Sequence, residues 1–129
     1  MKNFLFLTIS MLISGNVFAA TDHYVLHDNG YARHLKVTQI NGEYTVSADV
    51  DFEASAKEHC SATISGKAKS TGKDELLLKK HSEIEASFCE LKIKLGPNGA
   101  KIEESKDCDN FALGKCHFSS GDKELIKVK

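Results

Sequence analysis

The chain has 129 residues, 41% of them hydrophobic and 27% charged, with 17 basic side chains set against 18 acidic ones. That length suits one domain with one core. The near-zero balance argues against a nucleic-acid binder, which shows a clustered basic excess, and the apolar content argues against a disordered chain.

The amino terminus reads as an export signal. Lys2 supplies a positive start, Phe4 to Ile13 is an almost unbroken apolar run, and Val17-Phe18-Ala19-Ala20 places small residues before Thr21. This predicts a signal peptide over residues 1–20, cut after Ala20, and a single β domain over 21–129. The apolar run is too short to span a bilayer, so the expectation is a periplasmic or secreted protein without a membrane span. His23 and His27, beside Asp22 and Asp28, could bind a metal. The simpler expectation is an exposed, partly mobile end.

After the signal the chain reads as short segments alternating apolar and polar residues between Gly, Asn, Asp and Ser punctuation, the pattern of antiparallel strands. Asn41-Gly42 predicts a two-residue type I′ hairpin, since both positions take positive φ. Counting outward, Ile40 faces Glu43, Val37 faces Val46 and Leu35 faces Ala48. Leu35, Val37, Tyr44, Val46, Ala48, Val50 and Phe52 then share one face, and His34 falls on the polar one. Residues 53–59 fit a continued strand, a bulge or a helical turn. Cys60, Ala62, Ile64 and Ala68 point inward on a further strand. A turn over Ser70–Asp74 and a strand over Glu75–Lys80 follow. Residues 82–88 fit helical or strand periodicity equally.

A second hairpin is predicted at Gly96-Pro97-Asn98-Gly99, with Gly99 left-handed in a bulge. Before it Cys89, Leu91, Ile93 and Leu95 alternate with polar residues, after it Ala100 and Ile102 do, and Cys89 is expected to point into the core. Cys116–Ser119 and Leu125–Val128 read as a final hairpin across Ser-Ser-Gly-Asp. The predicted class is all-β: a small antiparallel barrel or sandwich of seven to eight strands, the barrel being preferred because it leaves no free edges.

Cys60, Cys89, Cys108 and Cys116 all follow the signal. An even count in an exported small domain predicts two disulfides rather than a metal site, and no Cys-x-x-Cys pair supports metal. The short span from Cys108 to Cys116 favours their pairing, which leaves Cys60 with Cys89. The rival pairing, Cys60–Cys116 with Cys89–Cys108, needs Cys116 beside the third strand of the series, as a closed barrel would allow.

Catalytic signatures are lacking. There is no Gly-x-Ser-x-Gly elbow and no phosphate-cradling loop. Glu83/Glu85 and Glu103/Glu104 lie among lysines as a solvated face does, and Lys79, Lys80, Lys92 and Lys94 alternate with acids on a soluble exterior. An enzymatic reading would need a cleft holding a histidine and a carboxylate in contact.

The segments His59-Cys60-Ser61-Ala62-Thr63-Ile64-Ser65-Gly66, Cys89-Glu90-Leu91-Lys92-Ile93 and Cys108 followed by Cys116 and Phe118 resemble a group of small exported bacterial β proteins. The resemblance implies a disulfide-bonded periplasmic β domain. In size and architecture the chain is also similar to periplasmic lysozyme inhibitors. The Ser-Gly-x-x-Tyr loop of their small-barrel class is missing: Ser65-Gly66 precedes Lys67-Ala68, and Ser120-Gly121 precedes Asp122-Lys123.

The expected function is therefore non-enzymatic: a monomeric periplasmic binding or inhibitory protein without cofactor or metal. Its partner would be a protein such as a lysozyme, another cell-wall hydrolase or a toxin. The expected contact residues are Asp109, Asn110, Phe111 and Lys115 in the loop before Cys116, together with Lys73 and Asp74. The alternative is a carrier with a barrel cavity for a small hydrophobic ligand.

Overall fold

A computed structural model describes residues 19–53, 59–81, 88–105, 108 and 116–128. Eight strands form a closed antiparallel barrel in chain order: β1 (Ala19–Asp28), β2 (Tyr31–Ile40), β3 (Glu43–Glu53), β4 (His59–Gly72), β5 (Glu75–His81), β6 (Phe88–Leu95), β7 (Gly99–Glu104) and β8 (Leu125–Val128). The chain is thus a barrel and not a sandwich. Each strand pairs with its sequence neighbours, and β8 returns to pair with β1 through His23↔Val128 and Val25↔Ile126.

Local sequence accounts for most of this. Asn41 (φ 52°) and Gly42 (φ 83°) make the expected turn, and Val37↔Val46 and Leu35↔Ala48 are paired as expected. Alternation fixes the register, because a one-residue slip would turn the apolar set outward. Leu35, Val46, Val50, Leu78, Leu91, Ile93, Ile102 and Phe118 are fully buried inside the barrel. At 25 cal/mol per Å² of apolar surface removed from water, each such side chain stabilises by about 2 kcal/mol.

Several expectations need correction. The segment with His23 and His27 is no loose end: it is β1, paired with β2 over its whole length through Ala19↔Ile40 to Asp28↔Tyr31. Its turn is Asn29-Gly30 (φ 49° and 86°), a second Asn-Gly hairpin. The strand β4 continues through a bulge between Ser70 and Gly72, so the turn narrows to Lys73 and Asp74. Gly99 does not take a positive φ. It lies in β7, where a Cβ would crowd the Glu124 carboxylate and sit 2.6 Å from Leu125 O. Cys116–Ser119 and β8 do not form a hairpin, because β8 pairs with β7 and β1 instead. The ambiguous stretches 53–59 and 82–88 fall largely outside the described residues; β3 runs to Glu53, β4 starts at His59 and β6 starts at Phe88.

The disulfides are Cys60–Cys116, with Cα atoms 5.9 Å apart, and Cys89–Cys108, with Cα atoms 4.3 Å apart. The preferred pairing of Cys60 with Cys89 and Cys108 with Cys116 is overturned. Cys60 and Cys89 are the second residues of β4 and β6, with β5 between them. Two strand spacings amount to about 10 Å, beyond the reach of about 7 Å that a disulfide allows. Each cysteine is bridged to the segment beyond β7 instead.

Residues 116–120 close one end of the barrel. Cys116 is bonded to β4, the carbonyl of His117 accepts a hydrogen bond from Arg33 Nε on β2 (3.2 Å), and Ser120 is hydrogen-bonded to Ile102 on β7. Since β2, β4 and β7 are not neighbours, the stretch 116–120 must cross the mouth. Phe118 inserts beneath it into the core. The opposite end carries the tight turns at Asn41-Gly42, Lys73-Asp74 and Gly96–Gly99.

Candidate functional site

A cleft at the capped end is lined by Asp28, Tyr31, Arg33, Glu104, His117 and Ser119. Arg33 shares the inward face of β2 with Leu35 and Val37 and is only 8% exposed. Its guanidinium lies over the Tyr31 ring at 4.5 Å. Burial pushes its pKa down, opposed by Tyr31, Asp28 and Glu104. A desolvated cation needs such compensation, because an unpaired buried charge is strongly unfavourable.

Glu104 ends β7 with its side chain mostly covered. Its Oε1 lies 3.4 Å from His117 Nδ1 and accepts from the Ser119 N–H at 3.4 Å. Asp28 is paired with Lys123 at 2.7 Å. The cleft therefore holds Arg33 against Asp28 and Glu104, with Lys123 paired to Asp28 from outside its lining and His117 half-exposed. The histidine–carboxylate contact that an enzyme would need is present. The Ser119 hydroxyl accepts from the Gly121 N–H at 3.2 Å.

A second cluster occupies the outer wall. His23 and His27 on β1 flank His34 on β2, because Val25 between them is the residue opposite His34. His23 Nε2 lies 3.2 Å from His34 Nδ1, and the His27 ring meets that of His34 edge-on at 6.1 Å. The pKa of His23 is lowered, first by burial and then by His34 and Lys36, with Asp49 opposing. His34, which the polar pattern leaves without partners, thus has two. Among the described residues no three His, Cys, Asp or Glu side chains are arranged to hold a metal ion.

Of the expected contact residues, Asp109, Asn110, Phe111 and Lys115 lie outside the described residues, although Cys108 and Cys116 place both ends of their loop at the cap. Lys73 and Asp74 form the exposed turn between β4 and β5, at the barrel end opposite Cys108 and Cys116. Arg33, Glu104 and His117 are absent from that expectation. One signal could have found Arg33: it is the single arginine of a lysine-rich chain and falls in step with Leu35 and Val37. Glu104 and His117 carry no comparable signal, because their contact joins β7 to the cap.

No protein-family model, no curated protein and no solved structure matches this chain. Its function must therefore be read from its own chemistry. The two disulfides point to an oxidising compartment outside the cytoplasm. No helix among the described residues is long and apolar enough to cross a membrane.

Proposed function

We propose that the chain is an exported, non-enzymatic binding protein of the periplasm that inhibits or neutralises another protein. The target would be a cell-wall-degrading enzyme such as a lysozyme, or a toxin for which this chain is the immunity protein. The observation that supports this reading is the cap: Cys116 is bonded to β4, Cys108 is bonded to β6, and Arg33 on β2 donates to His117 O. Preorganised loops lose little freedom on docking, so more of the contact energy appears as affinity. We assign the contact surface to this end of the barrel, to Tyr31, Glu104 and His117 of the cleft together with the expected residues between Cys108 and Cys116.

The carrier reading loses support from the filled interior, where Leu35, Leu78, Leu91, Ile93 and Phe118 occupy the space a ligand would need. An enzymatic reading keeps one observation, the Glu104–His117 contact, since a carboxylate can orient a general base.

The test is affinity capture and inhibition assays with the protein against a panel of lysozymes and cell-wall amidases. Co-elution with one member and its inhibition, both weakened in a Glu104→Gln, His117→Ala double variant, are the expected results. Failure to bind any member sinks the inhibitor reading for these classes. Turnover of an ester or glycan substrate by the protein alone, lost in His117→Ala, would move it to the enzymatic reading.

A further inference from the structure

Removal of residues 1–20 makes Thr21 the first residue and His23 the third. We propose that the processed chain carries an amino-terminal chelate for Cu(II) or Ni(II). Its donors are the Thr21 amine, the backbone nitrogens of Asp22 and His23, and His23 Nδ1. This inference rests on the export reading above, because it needs a free amine at Thr21.

The chemistry follows from the spacing. A terminal amine, two amide nitrogens and the imidazole of the third residue wrap one ion in three fused chelate rings. All-nitrogen, square-planar donor sets suit Cu(II) and Ni(II) and disfavour Zn(II), which takes tetrahedral sites. Neither Asp22 nor His23 is proline, so both backbone nitrogens carry a proton that the metal can displace. Binding therefore releases two amide protons, plus the ammonium proton wherever the amine is protonated, and strengthens as pH rises.

Two structural features fit the chelate. The register of β8 on β1 begins at His23, so among the described residues Thr21 and Asp22 are paired with β2 alone, opposite Thr38 and Val37. Terminal residues of a strand open at lower cost than its centre, and Thr21 and Asp22 are terminal once the chain begins at Thr21. Opening gives up the register of Thr21, Asp22 and His23 on Thr38, Val37 and Lys36 of β2 and that of His23 on Val128 of β8, together with the exposed Thr21–Thr38 hydroxyl pair at 3.1 Å and the Asp22–Lys127 ion pair at 3.4 Å. In addition, His23 meets His34 through Nε2, which leaves Nδ1, the nitrogen the chelate uses, outside that contact. With Nε2–H donating to His34 Nδ1, the tautomer presents a lone pair at Nδ1, the role an outer-shell partner plays at metal sites.

The experiment uses protein exported and processed in a bacterial host. Intact mass reports the first residue, and titration with Cu(II) is followed by visible absorption, electron paramagnetic resonance and proton release. The expected result is a chain beginning at Thr21 that binds one Cu(II) with a square-planar, all-nitrogen spectrum. His23→Gln should abolish that spectrum, and so should a form retaining Ala20 before Thr21. His34→Asn should keep it, with affinity reduced about tenfold by loss of the outer-shell partner. A different first residue overturns the predicted cut and the chelate with it. The correct first residue without this spectrum overturns the chelate alone and leaves export standing. So does a spectrum that survives in the Ala20 form, which would place the ion on the side-chain imidazoles.

Discussion

Ser120 takes the place of a strand residue opposite Ile102: its N–H donates to Ile102 O at 3.0 Å, and its hydroxyl accepts from the Ile102 N–H at 3.1 Å. The register of β8 on β7 covers only Gly99 and Ala100, so beyond it one side chain completes the ladder at the barrel seam. Ser120 is 8% exposed and Ile102 is fully buried, so water does not readily replace the bond.

Ser120→Ala leaves the Ile102 N–H buried without its acceptor. Such an orphaned donor costs about 1–3 kcal/mol. Urea unfolding should show that loss in stability, and hydrogen exchange at Ile102 should accelerate in step.

The two bridges differ in the length of chain they close, 56 residues for Cys60–Cys116 and 19 for Cys89–Cys108. Chain entropy then assigns about 4 kcal/mol to the first and about 3 kcal/mol to the second. Paired Cys→Ala variants compared by denaturant unfolding should preserve that order. Non-reducing peptide mapping should recover these two linkages; a Cys108–Cys116 peptide would refute the cap.

Gly42 and Gly99 should both lose stability on replacement by alanine, but for different reasons and by different amounts. At Gly42 a Cβ meets nothing within 4 Å, so the cost is that of a left-handed alanine, about 1–2 kcal/mol. At Gly99 the φ is ordinary, but the Cβ would lie 2.6 Å from the backbone oxygen of Leu125. Gly99→Ala should therefore push β8 off β7. It should cost more than Gly42→Ala in a thermal melt and deprotect Leu125 and Ile126 to exchange.

Arg33 joins β2 to the cap through His117 O while stacking on Tyr31. A hydrogen bond from a charged donor contributes about 1.5–3 kcal/mol. Arg33→Lys keeps the charge but loses the Nε donor and the planar stack, so it should still lose about that much. Exchange protection should fall in residues 116–120 and hold in β3 to β6; uniform loss across the barrel would refute the local role.

The strands and their register were legible in the sequence wherever the deciding contacts are local. Asn41-Gly42 and the alternation through Leu35, Val37, Val46 and Ala48 specify a hairpin without reference to the rest of the chain. Asn29-Gly30 carries the same turn signal. It is masked because the outer face of β1 is built from His23 and His27, which blur the alternation, and because the inner face offers only Tyr24 as a fully buried anchor. The count of cysteines announced two bridges but not their partners. Pairing depends on which strands are neighbours, and β5 between β4 and β6 holds Cys60 and Cys89 too far apart. Arg33 is in step with Leu35 and Val37 and so lies on the inner face of β2, but its counter-charges come from Asp28 at the end of β1 and Glu104 at the end of β7. Closure of the barrel and the crossing of its mouth by residues 116–120 bring them together. A hairpin register is set by contacts a few residues apart, whereas a bridge or a buried charge is set by where distant strands come to lie, and only the closed barrel decides that.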